Sequence, residues 1–308
     1  MPYILDNRLV VGLASSALFD LEESDAIYRT RGPIRYREFQ REKQDVPLSQ
    51  GVAFPFIRRL LSLNELDPEN PPVEVVLLSR NSPDTGLRVM NSIEHYRLGM
   101  TRAVFLEGGT PHRYIPALNI SLFLSANEAD VRQAIHAGMP AGQVLQSQFS
   151  DLDDDRELRI AFDFDGVLAD DEAESVFQTE NLVAFQMHEL EKALVPHSPG
   201  PLKTFLEKVA GIQLMEEQRA EADSAYVKKL RIAIVTARSA PAHRRVINTM
   251  RHWGININDA FFLGGIEKKK VLEVLNPHIF FDDQKLHLES AASVLPSVHI
   301  PFGITNQA

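Results

Sequence analysis

The sequence predicts an α/β protein in which helices cover both faces of a parallel sheet and the first half repeats the layout of the second. Three apolar runs in the second half, residues 158–162, 230–235 and 278–281, are short and continuous, as is typical of buried parallel strands. Each run ends in polar or small residues. Because ligands of open α/β sheets bind at the carboxyl ends of the strands, these three ends are expected to form one site.

An internal repeat is the second observation. A shift of 157 residues aligns residues 73–127 with residues 230–284 without a gap. Twelve of the 55 aligned positions are identical, whereas chance gives roughly one in twenty. Upstream, short matches at residues 17–20 and 47–51 follow at an offset of about 150. We therefore predict a duplication, with a first half at 1–150, a second half at 151–308, and a boundary in the Asp- and Ser-rich stretch 148–155.

The repeat is uneven in its chemistry, because the polar residues at the strand ends of the second half align with uncharged residues of the first. The aligned pairs are Asp163 with Leu13, Asp165 with Ser15, Thr236 with Ser79, Lys268 with Pro111, Asp282 with Ser125 and Asp283 with Ala126. The first half is thus predicted to keep the frame of a site without its carboxylates.

Composition excludes several classes of chemistry. The 308 residues include no cysteine, which excludes disulfides, thiolate metal sites and cysteine nucleophiles. A formal net charge of −10 without a long Lys/Arg run disfavours nucleic-acid polymers as partners. The apolar runs are too short for a membrane span, and the start of the chain reads poorly as a signal peptide. A cytoplasmic protein with no membrane partner is expected.

Asp163 and Asp165 follow the first apolar run. Two carboxylates two residues apart at a strand end can meet one phosphate in different roles. Asp163 is predicted to attack phosphorus as the nucleophile. Asp165 is predicted to protonate the leaving oxygen and later to activate water. Gly166 permits the tight turn that this placement needs.

A divalent cation is required at such a site, because several carboxylates and a phosphate ester repel one another. Mg²⁺ prefers oxygen ligands. The predicted ligands are Asp163, the backbone carbonyl of Asp165, and a carboxylate from Asp282 or Asp283. Asp283 is the first choice for the direct ligand, with Asp282 as its neighbour or substitute.

Thr236 ends the second run and can donate its hydroxyl to a phosphate oxygen, helped by backbone N–H groups such as that of Ala237. Lys268, at a predicted helix start, can offset the charge of the phosphoryl group and the nucleophile. Arg238 either contacts the phosphate or forms a salt bridge within the protein. Each of these four features, taken alone, more often has a structural role. Their order along the chain, each after its own strand, favours phosphoryl transfer.

Those four elements resemble the motifs of the haloacid dehalogenase-like hydrolase superfamily, most of whose members are phosphatases. The matching positions are residues 163–167, Thr236, Lys268 and the pair Asp282 and Asp283. The resemblance implies a Rossmann-like core with an inserted helical cap. Residues 169–230, which the three-strand core does not require, are the predicted cap.

A narrower resemblance covers nearly the whole chain. Segments at residues 14–20, 47–55, 91–96, 122–126, 235–239, 262–265 and 277–284 look like the cytosolic 5′-nucleotidase type I family, including its bacterial relatives. This implies Mg²⁺-dependent hydrolysis of nucleoside 5′-monophosphates to nucleoside and phosphate. Animal members place the glycine of the first motif before its second aspartate, whereas Gly166 follows Asp165. Base and sugar preferences of those members therefore do not carry over.

The predicted cap contains Phe177 and Phe185 at helical spacing. They either stack on a nucleobase or form the core of the cap. The predicted substrate-binding residues are Thr236, Ala237, Arg238, Gly166 and Phe177.

Two other functions stay open: a phosphatase or phosphotransferase acting on another small phosphomonoester, and an inert binding or regulatory protein. The first half is expected to pack against the catalytic half, as a wall of the site or as a surface for homo-oligomerisation.

Overall fold

The computed structural model describes residues 3–147, 151 and 155–306. Its strands form one sheet in the order β3-β2-β1-β4-β5-β10-β9-β6-β7-β8. Their bounds are β1 Leu9–Leu13, β2 Val73–Ser79, β3 Arg102–Phe105, β4 Leu122–Ser125, β5 Ala141–Val144, β6 Leu158–Phe162, β7 Leu230–Thr236, β8 Asp259–Phe262, β9 Ile279–Asp282 and β10 Ser297–His299. Neighbouring strands are parallel except β5 and β10, which are antiparallel. The predicted α/β fold with a mostly parallel sheet is confirmed.

Helices connect the strands. Their bounds are α1 Ser15–Leu18, α2 Glu22–Glu42, α3 Phe54–Ser62, α4 Pro83–His95, α5 Glu128–His136, α6 Glu172–Thr179, α7 Leu182–Glu191, α8 Lys203–Ala222, α9 His243–Trp253, α10 Lys268–Leu275 and α11 Lys285–Ala291. No helix in the described ranges is long and apolar enough to cross a membrane.

The three predicted strands of the second half, β6, β7 and β9, are neighbours in the sheet. They are buried almost throughout, because helices cover both faces and the apolar runs have no polar side to expose. β6 pairs with β7 on one side and β9 on the other, both in parallel. Their carboxyl ends therefore open at the same edge, where the sequence places its polar clusters.

The strand order of the first half, β3-β2-β1-β4-β5, is matched in the second by β8-β7-β6-β9-β10. The bounds of β2, β3 and β4 become those of β7, β8 and β9 when 157 is added, which is the offset seen in the sequence. The register agrees, since Leu9 pairs with Val73 and Leu158 pairs with Leu230. The two halves meet edge to edge at β5 and β10, within one sheet.

This register corrects one aligned pair. β1 and β6 are related by 149 residues, so Asp163 lies opposite Ala14 and not Leu13. The N–H of Ala14 bonds to Leu124 O, as that of Asp163 bonds to Phe281 O. The offset is 150 just beyond the turn, between Phe19 and Ala169, and is again 149 between Gln50 and Pro199, the residues to which these two bridge. A single offset of 150 therefore overlooked one extra residue in the turn after β6.

The predicted cap, residues 169–230, contains helices that pack in two different places. Helices α6 and α7 form a hairpin at the carboxyl edge of the second half, but α8, within the predicted 169–230, packs on the sheet. Its apolar side chains Phe205, Leu206 and Val209 are fully buried in the main core. Hydrophobic burial therefore makes α8 a layer of the core, and we use "cap" below for α6, α7 and the return to residue 199.

The first half has a helical segment in the same place. Helix α2, between β1 and β2, is broken at Gly32, where φ is 79°. Arg88 holds the chain after α2 by donating from Nε to Val46 O at 3.0 Å, and Arg245 does the same to Val195 O at 2.9 Å. The hairpin is thus not peculiar to the second half. The predicted boundary at 148–155 falls mostly outside the described residues.

Candidate active site

Asp163 lies in the turn after β6, where the sequence placed the nucleophile. Its N–H donates to Phe281 O of β9 at 2.8 Å. Its own Oδ1 accepts the N–H of Phe164 at 2.7 Å. The side chain is only 4% exposed. One carboxylate oxygen is thereby held by the backbone, and the other, Oδ2, faces Lys268.

Lys268 begins α10 and joins two of the carboxylates. Its Nζ lies 2.8 Å from Asp163 Oδ2 and 2.7 Å from Asp282 Oδ2. Burial alone would lower the pKa of this amine, but Asp163 and Asp282 outweigh burial and raise it. The same cation, with His287, holds the pKa of Asp282 below its usual range against the effect of burial. Lys268 is therefore a fixed positive charge beside the predicted nucleophile.

Asp282 and Asp283 have different surroundings. Asp282 Oδ1 accepts the N–H of Gln284 at 2.8 Å, and its Oδ2 is bound by Lys268. Asp283 Oδ2 accepts the hydroxyl of Thr305 at 2.7 Å, while its Oδ1 is buried and has no hydrogen-bond partner within the described ranges. Asp283 thus has a free ligand atom, whereas Asp282 already binds Lys268.

The charges at this edge do not balance. Asp163, Asp282 and Asp283 are three buried carboxylates that face one ammonium group, that of Lys268. Burial, with Asp282 next, raises the pKa of Asp163 to about 7, because Lys268 only partly offsets these effects. Burial, then Asp282 and Asp163, raise the pKa of Asp283 to about 9. Oxygen donors with excess negative charge are what a hard divalent cation binds, so these residues fit a metal ion. Asp163, Asp282 and His287 also bring ligand atoms within 4.8 Å of one another.

Gly166 occupies a position that no larger residue could share with Asp283. Its φ is 68°, a left-handed conformation that disfavours side chains. A Cβ there would lie 2.7 Å from Asp283 Cγ. The glycine therefore serves both the turn and the placement of the carboxylate that has the free oxygen.

Thr236 ends β7 and is 1% exposed. Its Oγ1 accepts the N–H of Arg238 at 3.2 Å, which leaves the hydroxyl hydrogen out of that bond. Arg238 turns toward Asp165, with Nε 2.7 Å from Oδ2 and Nη2 2.7 Å from Oδ1. Of the two alternatives for Arg238, the structure shows the salt bridge. The contacts of Arg238 and Ala237 with substrate stay predictions.

The sequence did not predict a role for three buried residues near Arg238 and Asp165, which are Glu189, His197 and Arg245. Glu189 on α7 accepts hydrogen bonds from both Arg238 and Arg245 of α9. His197 lies with Nε2 3.3 Å from Glu189 Oε2. The repeat could have indicated His197, because this polar residue aligns with the apolar Leu48 of the first half. An acidic residue on a helix gives no such signal, since most are solvated.

Glu172, in the acidic stretch that opens the cap, is engaged by cations. It accepts bonds from Lys192 and Arg245. Burial alone would raise the pKa of Glu172, but these two residues lower it to about 2. Asp170, Glu172 and His197 do cluster within 4.8 Å, but the two cations already balance the charge of Glu172.

The aromatic pair of the cap is only partly packed. Phe177 and Phe185 meet edge to face, with ring centroids 6.2 Å apart. Phe185 also lies over the guanidinium of Arg238, at 5.3 Å. Phe177 is 42% exposed, so it is not buried in a cap core. Tyr28 and Tyr36 form the same kind of pair in α2, at 5.5 Å. Packing between the helices thus accounts for the pairing, and stacking of Phe177 on a base stays a prediction.

The last described residues also support the site. Asn306 donates to Asp283 O at 2.9 Å, and His299 Nε2 lies 3.0 Å from the same oxygen. With Thr305, they hold the backbone and side chain of Asp283 in place. No apolar run precedes Thr305 and Asn306, so nothing in the sequence indicated their role.

Comparison with known proteins now decides the family. A family model described as 5′-nucleotidase matches residues 1–307. The chain belongs to the 5′-nucleotidase family. This confirms the family predicted from the motifs.

The chain is similar to the curated protein "Cytosolic 5'-nucleotidase 1B" of Homo sapiens. It is 33% identical over an alignment of 291 residues that covers 92% of this chain and 47% of the relative. The chain thus spans about half the length of the curated relative it matches. The comparison with solved structures gave no match.

Proposed function

We propose that the chain hydrolyses nucleoside 5′-monophosphates to nucleoside and phosphate, with Mg²⁺ as its cofactor. The observation that carries the proposal is the buried contact of Asp163 with Lys268 at the strand edge that also holds Asp282 and Asp283. The family supplies the substrate class. The name of the human relative, a cytosolic 5′-nucleotidase, supports both a 5′-nucleotidase activity and a cytoplasmic location.

The metal ligands we propose are Asp163, the backbone carbonyl of Asp165, and Asp283. Asp283 is preferred to Asp282 because it has the free buried oxygen, whereas Asp282 binds Lys268. When bound, Mg²⁺ offsets the repulsion between these carboxylates and the phosphate and polarises a phosphoryl oxygen.

In the first step, Asp163 Oδ attacks phosphorus. The bond from phosphorus to the 5′ oxygen of the nucleoside breaks, and an aspartyl-phosphate forms on Asp163. Asp165 gives its proton to the departing 5′ oxygen, so a neutral nucleoside leaves. Lys268 and the hydroxyl of Thr236 stabilise the charge that builds up on the phosphoryl oxygens.

In the second step, water attacks the phosphorus of the aspartyl-phosphate. Asp165, now ionised, takes a proton from that water. The bond from phosphorus to Asp163 breaks, which restores the Asp163 carboxylate and releases phosphate. Asp165 ends the cycle protonated, as it began it.

We infer that the first half is a duplicated and catalytically degenerate copy of the second. Supporting this are the strand order, the 157-residue offset and the matched bonds of Arg88 and Arg245. Ala14 and Pro111 replace the nucleophile and the lysine, so neither group is present at the matching positions of this half. It contributes sheet and core to the second half.

Substitution of Asp163 by Asn tests the proposal, because the amide keeps the shape of the side chain and cannot form the acyl phosphate. We expect kcat to fall at least about 10⁴-fold while the fold is kept. Purified enzyme would be assayed with Mg²⁺ on nucleoside 5′-monophosphates and on sugar phosphates. Full activity of Asp163→Asn would refute the covalent mechanism. Equal rates on all esters would refute the nucleotide preference and leave a general phosphatase.

A further inference from the structure

The guanidinium of Arg238 is almost fully committed to other protein groups. It is 4% exposed. Nε and Nη2 hold both oxygens of Asp165 at 2.7 Å, Nη1 donates to Glu189, and Nη2 also lies 3.2 Å from His197 Nε2. Three of the five guanidinium hydrogens are donated to carboxylate oxygens in this way. Such a fork fixes the plane of a carboxylate, which a single point charge does not.

Glu189 links this fork to the cap. It lies on α7 and is fully buried, and burial alone would raise its pKa. His197 and Arg238 nevertheless hold the pKa of Glu189 well below its usual range. Its other oxygen, Oε1, accepts from Arg245 at 2.7 Å. Glu189 is therefore an ionised carboxylate of the cap clamped between two arginines of the core.

Two aromatic rings enclose the same guanidinium. The ring of Phe164, next to the nucleophile, and the ring of Phe185, on α7, both lie 5.3 Å from Arg238 Cζ. One ring belongs to the core and the other to the cap. Arg238 thus packs against the core and the cap at the same time.

The first half shows that the hairpin itself does not need these charges. Asn81 stands at the position of Arg238 and Gln40 at that of Glu189. Gln40 is buried and bonds to Ser24 at 2.9 Å and to Arg88 at 3.5 Å. Asn81 accepts the hydroxyl of Tyr36 at 3.0 Å. Neutral groups therefore suffice to hold a helix against the sheet at this point.

We propose that Arg238 is the positioning residue of Asp165, and that Glu189 makes this positioning depend on the seated cap. The proposal rests on the acid–base role assigned to Asp165 above. The fork aims Asp165 at the leaving oxygen, and Glu189 and Phe185 keep the fork in place only while α7 covers the site. Closure of the cap and alignment of the acid–base group are then one event, so the proton donor is aligned only under a closed cap.

Two esters separate positioning of Asp165 from a general loss of structure. The 5′ oxygen of a nucleoside needs a proton to leave, whereas nitrophenolate leaves p-nitrophenyl phosphate without one near neutral pH. Attack by Asp163 on p-nitrophenyl phosphate should therefore produce a burst of nitrophenolate even when Asp165 is misaligned.

Two variants remove the fork in different ways. Arg238→Lys keeps the charge and loses the bidentate contact. The double variant Arg238→Asn, Glu189→Gln introduces the pair that the first half already accommodates, so an unpaired buried charge is avoided. Gln40→Ala, at the matching buried position of the first half, is the control.

For both variants, we expect kcat on a nucleoside 5′-monophosphate to fall about 10²-fold or more, with KM changed less than about threefold. The nitrophenolate burst should keep its amplitude. Gln40→Ala should keep wild-type rates on both esters. Equal losses on the two esters, or an Arg238→Lys enzyme as active as wild type on the nucleotide, would overturn the proposal.

Asp163→Asn, assayed in the same way, distinguishes failure of this proposal from failure of the proposed function. It should abolish the burst as well as the nucleotide activity. A burst that survives in Asp163→Asn would mean that the covalent mechanism is wrong. Loss of the burst there, together with unchanged Arg238 variants, would reject only the positioning role.

Discussion

The two halves of the chain hold their turns with the same bonds and differ in charge. Ser125 Oγ accepts the N–H of Asn127 at 3.0 Å, as Asp282 Oδ1 accepts that of Gln284 at 2.8 Å. The local structure after β4 and β9 therefore needs only a side-chain oxygen. A serine supplies it in the first half and an aspartate in the second.

The same is true after β2 and β7. Ser79 Oγ accepts the N–H of Asn81 at 3.1 Å, and Thr236 Oγ1 accepts that of Arg238 at 3.2 Å. Ser79 also lies 3.1 Å from the hydroxyl of Ser15, in a buried neutral pair. At these two strand ends the first half thus satisfies its polar atoms with neutral groups. The buried carboxylates of the second half are not required by the fold, which is why we assign them to chemistry.

The largest difference in kcat between matched substitutions is expected at Lys268 and its counterpart in the first half, Pro111. Lys268→Met removes the cation from Asp163 and Asp282 and should lower kcat about 10³-fold. Pro111→Ala should leave kcat unchanged, because no charge depends on that residue. Steady-state assays of both purified variants, with circular dichroism to establish folding, would measure this. A Lys268→Met enzyme within tenfold of wild type would contradict the role given to the lysine.

The next largest difference in activity is expected between substitutions of Thr236 and of its counterpart Ser79. Thr236→Val removes one donor to the phosphoryl group and should lower kcat/KM about 10²-fold. Ser79→Ala removes the matching hydroxyl in the first half. It should alter only stability, by about 1 kcal/mol. If the two variants lose activity equally, the hydroxyl of Thr236 has no special role in binding phosphate.

Substitution of Asp283, where the first half has Ala126, tests whether this carboxylate binds the metal or only supports the structure. Asp283→Asn should raise the Mg²⁺ concentration for half-maximal activity at least about tenfold. Without metal, the variant should melt higher than wild type near neutral pH, because folding forces the Asp283 carboxyl to take up a proton there and the amide of Asn has none to take up. Thermal melts with and without Mg²⁺, alongside assays, test both points. Wild-type metal dependence in Asp283→Asn would favour Asp282 as the direct ligand.

The smallest effect on activity is expected at His278, where the first half has Ser121. Burial, then Arg59 and Arg159, lower the pKa of His278 to about 4. Its Nδ1 accepts the N–H of Arg159 at 3.0 Å, which only the neutral ring can do.

The folded state therefore binds fewer protons at His278 than the unfolded state does between the ordinary pKa of 6.5 and about 4. Stability should fall as the pH is lowered through this window, by up to about 3 kcal/mol. His278→Gln should flatten the decline when urea unfolding is followed against pH. An equally steep decline in the variant would show that another group is responsible.

The sequence predicted the parts of this structure that depend on local patterns. Apolar runs located β6, β7 and β9, at whose ends Asp163, Thr236 and Asp283 lie, whereas Lys268 begins α10 after β8. Parallel pairing then brings those residues to one edge, so no long-range information was needed. The 157-residue offset likewise located β2, β3 and β4, because both halves bury the same apolar faces.

Contacts between segments could not be predicted in this way. Glu189 reads as a surface helix residue, and only the fold shows that two arginines enclose it. The extent of the cap depends on whether α8 packs on the sheet, which its length does not reveal. The offset between β1 and β6 was wrong by one residue, because an extra turn residue leaves no mark on the apolar pattern.

The central claim is that Asp163 carries the phosphoryl group during turnover. Rapid quenching during hydrolysis of a nucleoside 5′-monophosphate, followed by borohydride reduction, converts an aspartyl-phosphate into homoserine, which mass spectrometry locates in the chain. We predict homoserine at position 163 and at no other aspartate. Phosphate release without any modification at position 163, under conditions that trap a known acyl phosphate, would contradict the account.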